Sequence, residues 1–319
     1  MKRNINKGVY PTMITPYNKD GKVDYGAVKA LTEWYWEKGC HGIFATCQSS
    51  EIHYLSLADK IKISATVSET AKKLEANDSR GKSMSVVASG HTSTDVDDQV
   101  RELTEISATG VDAVVLISNR TDIEDTSDEK WIEETEALLS MLPEGIMVGT
   151  YECPMPYKRL ISDKMMQWVA ETRRFAFIKD TCCDADVIAK RLDILSGSGV
   201  GLYNANGQTY LESLKAGGDG YCGIMANFHP EIYVWLFENF KKYPELAEKV
   251  QAVLCMCAFT ESPAYPLTAK YHLSTYEGIP MEIYSRARPR KNFTNYQKLC
   301  VDQMKLVADT LIDEIRKYN

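Results

Sequence analysis

"FAFIKDTCCD" (residues 175–184) places four apolar residues ahead of a lysine and an aspartate. The apolar run reads as a buried parallel strand, which shows continuous hydrophobicity rather than alternation. Seven more runs of this kind occur, at residues 9–15, 42–47, 84–89, 113–118, 146–151, 201–205 and 221–225. Between them lie amphipathic stretches opened by helix-capping residues: Asp24, Ser56, Thr94 or Ser93, Ser127 and Ser162, with Gly39 as a stop signal. Strand–helix alternation repeated eight times predicts an α/β fold, a (β/α)8 TIM barrel over residues 1–242. A doubly wound sheet would want a glycine-rich phosphate turn after the first strand, and "TPYNKDG" is not one. Residues 243–319 are expected to form a helical C-terminal extension packed on the barrel.

The bulk properties narrow the function. The net charge of −7 over 319 residues argues against a general nucleic-acid binder, and the one dense basic run, at residues 286–291, is short. No apolar run approaches the roughly 18 residues of a membrane span. Met1-Lys2-Arg3-Asn4 followed by "INKGVYP" does not build a signal-peptide core, so a cytoplasmic protein is expected. Nine cysteines without a C-x2-C pair fit small buried thiols in a reducing compartment rather than zinc ligands. The five histidines show no second-ligand spacing, and no metal site is expected.

Barrel active sites lie at the C-terminal ends of the strands. That rule selects "CQSSE" at residues 47–51, His91, Tyr151, Lys179, Asn204, Asn206, Gln208, Asn227 and His229. Lys179 stands out. An amine above apolar strand residues is stripped of water, which favours the uncharged nucleophile that attacks carbonyls. The bland alternative is a surface lysine paired with Asp180. Tyr151, one strand earlier, offers a phenol to shuttle protons, or else a packing tyrosine. The hydroxyls and backbone N–H groups of "CQSSE" suit a carboxylate, or else form a polar turn before a capped helix.

The chain resembles the dihydrodipicolinate synthase / N-acetylneuraminate lyase family of Schiff-base aldolases. "GVYPTMITPYNKDGKVD" is similar to the family's opening strand, and "CQSSEIHYLSLADK" occupies the place of its G-[TS]-T-G-E loop. "YECP" at 151–154 resembles the Y-N-x-P of the catalytic tyrosine, and "FIKDT" at 177–181 the I-K-[DE] strand of the Schiff-base lysine. "AGGDGYCGIMANFHP" and "SPAYPLTAKYHLSTYEG" resemble the eighth strand and the C-terminal P-x-K segment. The resemblance implies a homotetramer acting on pyruvate or a related small-molecule 2-oxo acid, with no cofactor. It implies Lys179 as nucleophile, Tyr151 as proton carrier and Gln48 in the relay position. Ser49, Ser50, Asn206 and Ile224 would bind substrate.

Departures accompany the likeness. Cys47 and Ser50 stand where the family has glycines, and Gln48 where it has a relay Ser or Thr. Pro156 stands where synthases carry an arginine for the second substrate, with Arg159 three residues on. The synthase's aromatic residue after strand four gives way to "ISNRTDIEDTSDE". Gly207 and Gln208 replace the sialic-acid lyase's acidic pair. A lyase or aldolase on a 2-oxo acid, or a dehydratase on a keto-deoxy acid, is the leading expectation. True dihydrodipicolinate synthase and a catalytically silent 2-oxo-acid-binding regulator are the alternatives.

Overall fold

In the computed structural model, residues 5–318 are described, apart from the side chain of Glu261. The terminal residues 1–4, part of the signal-peptide reading, lie outside the described residues. Eight parallel strands alternate with helices in the predicted order: β1 (Gly8–Val9), α1 (Tyr25–Glu37), β2 (Gly42–Phe44), α2 (Leu57–Asn77), β3 (Ser85–Ala88), α3 (Val96–Ser107), β4 (Ala113–Ile117) and α4 (Asp128–Met141). There follow β5 (Val148–Tyr151), α5 (Asp163–Thr172), β6 (Phe175–Asp180), α6 (Ala185–Leu195), β7 (Gly201–Asn204), α7 (Tyr210–Lys215), β8 (Gly220–Tyr221) and α8 (Pro230–Asn239). The sheet order runs from β1 through β8 and back down to β2. Three backbone bonds close it into a barrel: His41 N–H to the Val9 carbonyl, Phe44 N–H to Pro11 and Met13 N–H to Phe44, each 3.0 Å.

The helices start where capping chemistry dictates. Asp24, Ser56, Ser127 and Ser162 accept backbone N–H groups from the first turns of α1, α2, α4 and α5. The cap of α3 is Asp95, not Thr94 or Ser93: its carboxylate takes the N–H groups of Asp97 and Asp98. Ser93 instead donates to Glu102. The outer strands are shorter than the apolar runs suggested. Gly8 and Gly220 pair so closely that a Cβ on Gly220 would lie 1.8 Å from the Gly8 carbonyl oxygen, and residues 224–227 curl into a 3-10 turn.

Inside the barrel, Tyr10, Phe44, Phe177 and Tyr203 form an aromatic plug, with Phe177 and Tyr203 stacked 4.4 Å apart. The plug fills the barrel directly below Lys179. Beyond the barrel, α9 (Pro244–Glu261), α10 (Leu267–Tyr276) and α11 (Asn295–Ile315) follow. Helix α9 packs on α7 and α8, and α11 on α8 and α9. The segment between α10 and α11 is not helical throughout: it crosses to the C-terminal face of the barrel and seats Ser285, Arg286 and Ala287 on Glu51. No helix among the described residues is long and apolar enough to cross a membrane.

Candidate active site

Side chains along β6 alternate between the two faces of the sheet. Phe177 joins the barrel interior and Ile178 packs outside, against the helices. Lys179 therefore points inward and Asp180 outward. Lys179 is only 4 % exposed, and its Nζ lies 4.1 Å from the Tyr151 ring centroid and 5.7 Å from that of Phe44. Among the described residues its amine has no carboxylate within ion-pair range. The pairing with Asp180 is thereby overturned: Asp180 is fully buried on the opposite face, bonded to Arg191 of α6.

Tyr151 faces Lys179 because of an irregularity in the ladder. Val148 is opposite Phe175, but Gly149 is opposite Phe177, so β6 carries one extra residue at Ala176. Without that bulge Tyr151 would stand beside Ile178. Gly149 permits the close approach, since a Cβ there would lie 2.7 Å from the Phe177 carbonyl oxygen. The pair is also tied from behind. Each of the two residues is followed by a buried acid, Glu152 and Asp180, and both acids bind the same Arg191 guanidinium, Glu152 at 2.8 Å. Burial and the neighbouring Asp180 push the Glu152 carboxyl up, while Arg191 opposes them.

A cavity of about 490 Å³ opens above the pair, lined by Gln48, Ser49, Tyr151, Lys179 and Ile224 together with residues of the C-terminal extension. Burial, and then the thiols of Cys153 and Cys47, push the Tyr151 phenol well above its ordinary value, so it is a proton-bearing group at neutral pH. Its hydroxyl donates to Gln48 Oε1 over a long 3.5 Å, and the Cys153 thiol donates to the same oxygen at 3.4 Å. Ser49 donates to Thr12 Oγ1 at 3.0 Å, beside the cavity-lining Tyr265, whose hydroxyl accepts from Asn227 at 3.2 Å.

Other expected residues are used elsewhere. The Ser50 hydroxyl faces the carbonyls of Met13 (2.6 Å) and Ala45 (3.1 Å) and takes the Cys47 N–H, holding the loop rather than lining the cavity. Asn206 accepts the N–H and hydroxyl of Thr209 and shapes the turn after β7. His91 is buried, its Nδ1 taking the Ile117 N–H and its Nε2 bonded to Gln99. Arg159 is locked to Asp122 at 2.8 Å and Asp125 at 3.1 Å and is buried away from the cavity. Of the vicinal cysteines, Cys182 packs partly on the outer core and Cys183 is exposed at a φ of 63°. Among the described residues no cluster of three metal-ligating side chains occurs.

Residues 6–287 match the model of the dihydrodipicolinate synthetase family. The chain belongs to this family. A DapA-like lyase of Pyrococcus horikoshii is 25 % identical over 240 residues, 74 % of this chain and 77 % of that protein. The fold is shared with Ruminococcus gnavus sialic acid aldolase (TM-score 0.83, 18 % identity, covering 98 % of this chain and 100 % of that one). It is shared equally with dihydrodipicolinate synthase DapA-2 of Bacillus anthracis (TM-score 0.82, 16 % identity, 95 % and 99 %). Membership in the dihydrodipicolinate synthetase family places the chain among lyases and synthases. Within that family frame, the bulge at Ala176 and the Arg191 tie were not legible in the sequence. The only trace of the tie was an acidic residue directly after each of Tyr151 and Lys179.

Proposed function

We propose that the protein is a Schiff-base lyase or aldolase that holds pyruvate or a related 2-oxo acid on Lys179. The observation that carries this reading is the unpaired Lys179 amine, 4.1 Å from the ring of the protonated Tyr151 at the floor of a cavity. The amine adds to C2 of the 2-oxo acid: a C–N bond forms, and the carbonyl electron pair moves to oxygen, which takes a proton. Tyr151 supplies that proton, recovers one from the nitrogen and returns it to the hydroxyl, which leaves as water while the nitrogen lone pair forms the C=N bond. The imine draws electrons from the bond between C3 and C4 while the deprotonated Tyr151 takes the C4 hydroxyl proton, so a 4-hydroxy substrate breaks there and releases an aldehyde. Loss of a hydroxyl at C4 takes a different path: a C3 proton is removed, its electron pair forms the enamine, and the enamine then expels the C4 oxygen, which takes that proton and leaves as water.

Ser49, with Thr12 and Tyr265 behind it, supplies donors for the carboxylate. Gln48 has no proton to pass at neutral pH; its Oε1 accepts from Tyr151 and orients it. Arg159, locked to Asp122 and Asp125, is not available to a second substrate's carboxylate. A cytoplasmic homotetramer is part of the same proposal. Exposed Met256, Phe259, Leu299 and Leu306 on α9 and α11 support an association surface.

The test is a panel of keto-deoxy sugar acids with pyruvate release coupled to lactate dehydrogenase. Wild type is expected to release pyruvate from at least one, and Lys179→Ala from none. Release that survives in Lys179→Ala contradicts the mechanism. Faster consumption of pyruvate with aspartate semialdehyde than of any panel member would select the synthase instead.

A further inference from the structure

We infer that the cavity is built for a 2-oxo acid with a second carboxylate at its far end, and that Arg288 on the rim binds that carboxylate. This rests on the reading of Lys179 as the imine-forming residue.

The loop that delivers Arg288 is fixed by Glu51. The Glu51 carboxylate accepts from Lys270 Nζ (3.0 Å), Ser285 Oγ (2.9 Å) and the backbone N–H groups of Arg286 (2.5 Å) and Ala287 (2.8 Å). Ser285 Oγ in turn receives the N–H of Arg288 at 2.9 Å. The two arginines then have different fates. The Arg286 guanidinium is spent on the carbonyls of Tyr54 (2.9 Å) and Gly21 (3.0 Å) and lies over the Tyr17 ring. Arg288 lines the cavity that holds Lys179 and, among the described residues, its guanidinium has no acid partner. Glu51 is the one acid among the described residues lining that cavity, and its oxygens are already occupied. It cannot neutralise Arg288.

A second observation points the same way. Arg120, just past the end of β4, is 8 % exposed, and its Nε has no hydrogen-bond partner among the described residues. It lies within electrostatic reach of Cys153, of Glu102 and of the cavity-lining His53, and Glu102 is already bonded to Thr92 and Ser93 and faces Lys60 at 3.9 Å. Two cations, Arg120 and Lys60, share the single carboxylate of Glu102, which leaves that wall with a net positive potential. The 2-oxo acid's own carboxylate is accommodated beside Ser49, deep in the cavity. The remaining positive charge at the mouth is matched by a second, planar anion, and a guanidinium fork suits a carboxylate.

The test compares 2-oxo acids of equal chain length: 2-oxoglutarate against 2-oxopentanoate, and 2-oxoadipate against 2-oxohexanoate. Each is titrated in the presence of borohydride, with labelling of Lys179 read by mass spectrometry and pyruvate as reference. At least one diacid is expected to half-saturate labelling at a concentration about tenfold below its monoacid partner, the size of one charge-assisted bond at a partly solvated site. Arg288→Gln should erase that ratio, and Arg288→Lys should keep part of it. A general loss of folding lowers both arms and leaves the ratio intact, so the ratio isolates the contact. Equal labelling by diacids and monoacids in wild type, or a preference that persists in Arg288→Gln, overturns the inference while pyruvate labelling leaves the imine reading standing. Absence of any labelling, pyruvate included, overturns both.

Discussion

Replacing Arg191 by methionine removes the cation that Glu152 and Asp180 share, with both carboxylates fully buried. Breaking a buried ion pair by deleting one partner costs about 3–5 kcal/mol, because the remaining charge cannot be rehydrated. Here two acids are stranded. One escapes by taking up a proton, since burial and Asp180 already push the Glu152 carboxyl up. The other bears the penalty, so about 3–5 kcal/mol is expected at pH 7. At about 2 °C per kcal/mol for a chain of this size, the thermal midpoint falls by about 6–10 °C. The sign with pH follows from linkage. A carboxyl raised in the folded state binds protons more tightly there than in the unfolded chain, so the deficit shrinks as pH falls. Urea unfolding followed by tryptophan fluorescence at pH 7 and pH 5 measures both effects. The triple variant Glu152→Gln, Asp180→Asn, Arg191→Met carries no stranded charge and should recover most of the loss. If Arg191→Met stays within about 1 kcal/mol of wild type, or the triple variant is no better than the single one, the tie is not what holds the two strand ends.

Four further outcomes are expected. Gly149→Ala forces a Cβ to within 2.7 Å of the Phe177 carbonyl oxygen and should undo the bulge, lowering the rate of imine formation even where the protein stays folded; stopped-flow labelling with pyruvate checks this. Tyr151→Phe should slow imine formation by about 10²–10⁴-fold, the span of general acid–base contributions, with an unchanged circular-dichroism spectrum. Burial holds His91 down to about 4 and His229 down to about 3, so the folded state refuses protons that the unfolded state accepts below its ordinary value. Burial holds His272 down to about 4 as well, so stability should fall by about 2 kcal/mol per histidine between pH 6.5 and pH 5, and His91→Gln should remove about a third of that slope in urea titrations. Glu51→Gln should loosen the loop at residues 285–288 and speed tryptic cleavage after Arg286, as seen by mass spectrometry of timed digests.

The barrel was legible because buried parallel strands announce themselves as apolar runs, and eight such runs with capped helices between them leave little choice of fold. Counting strands was enough to put Lys179 and Tyr151 at adjacent strand ends. What could not be read was the geometry that makes them neighbours in register. The extra residue at Ala176 leaves no mark beyond a glycine on the facing strand. The destination of a charge was equally hidden. Asp180 was a plausible partner of Lys179 by proximity, yet strand alternation sends it to Arg191 on the other face. Arg159 was a candidate for the cavity, and two aspartates in a loop with positive φ capture it instead. The basic run at residues 286–291 read only as a short charged patch. Its pairing with Glu51, more than two hundred residues earlier, turns it into part of the cavity wall. Ser50 and Asn206 were placed in the right loops, but their side chains complete those loops rather than reach the open space.

The central claim is that Lys179 is the nucleophile, and it is tested by incubating the protein with pyruvate and borohydride and mapping the reduced adduct by peptide mass spectrometry. A single adduct on the peptide containing Lys179, absent from Lys179→Ala, is the predicted result. No adduct, or one that persists in Lys179→Ala, contradicts it.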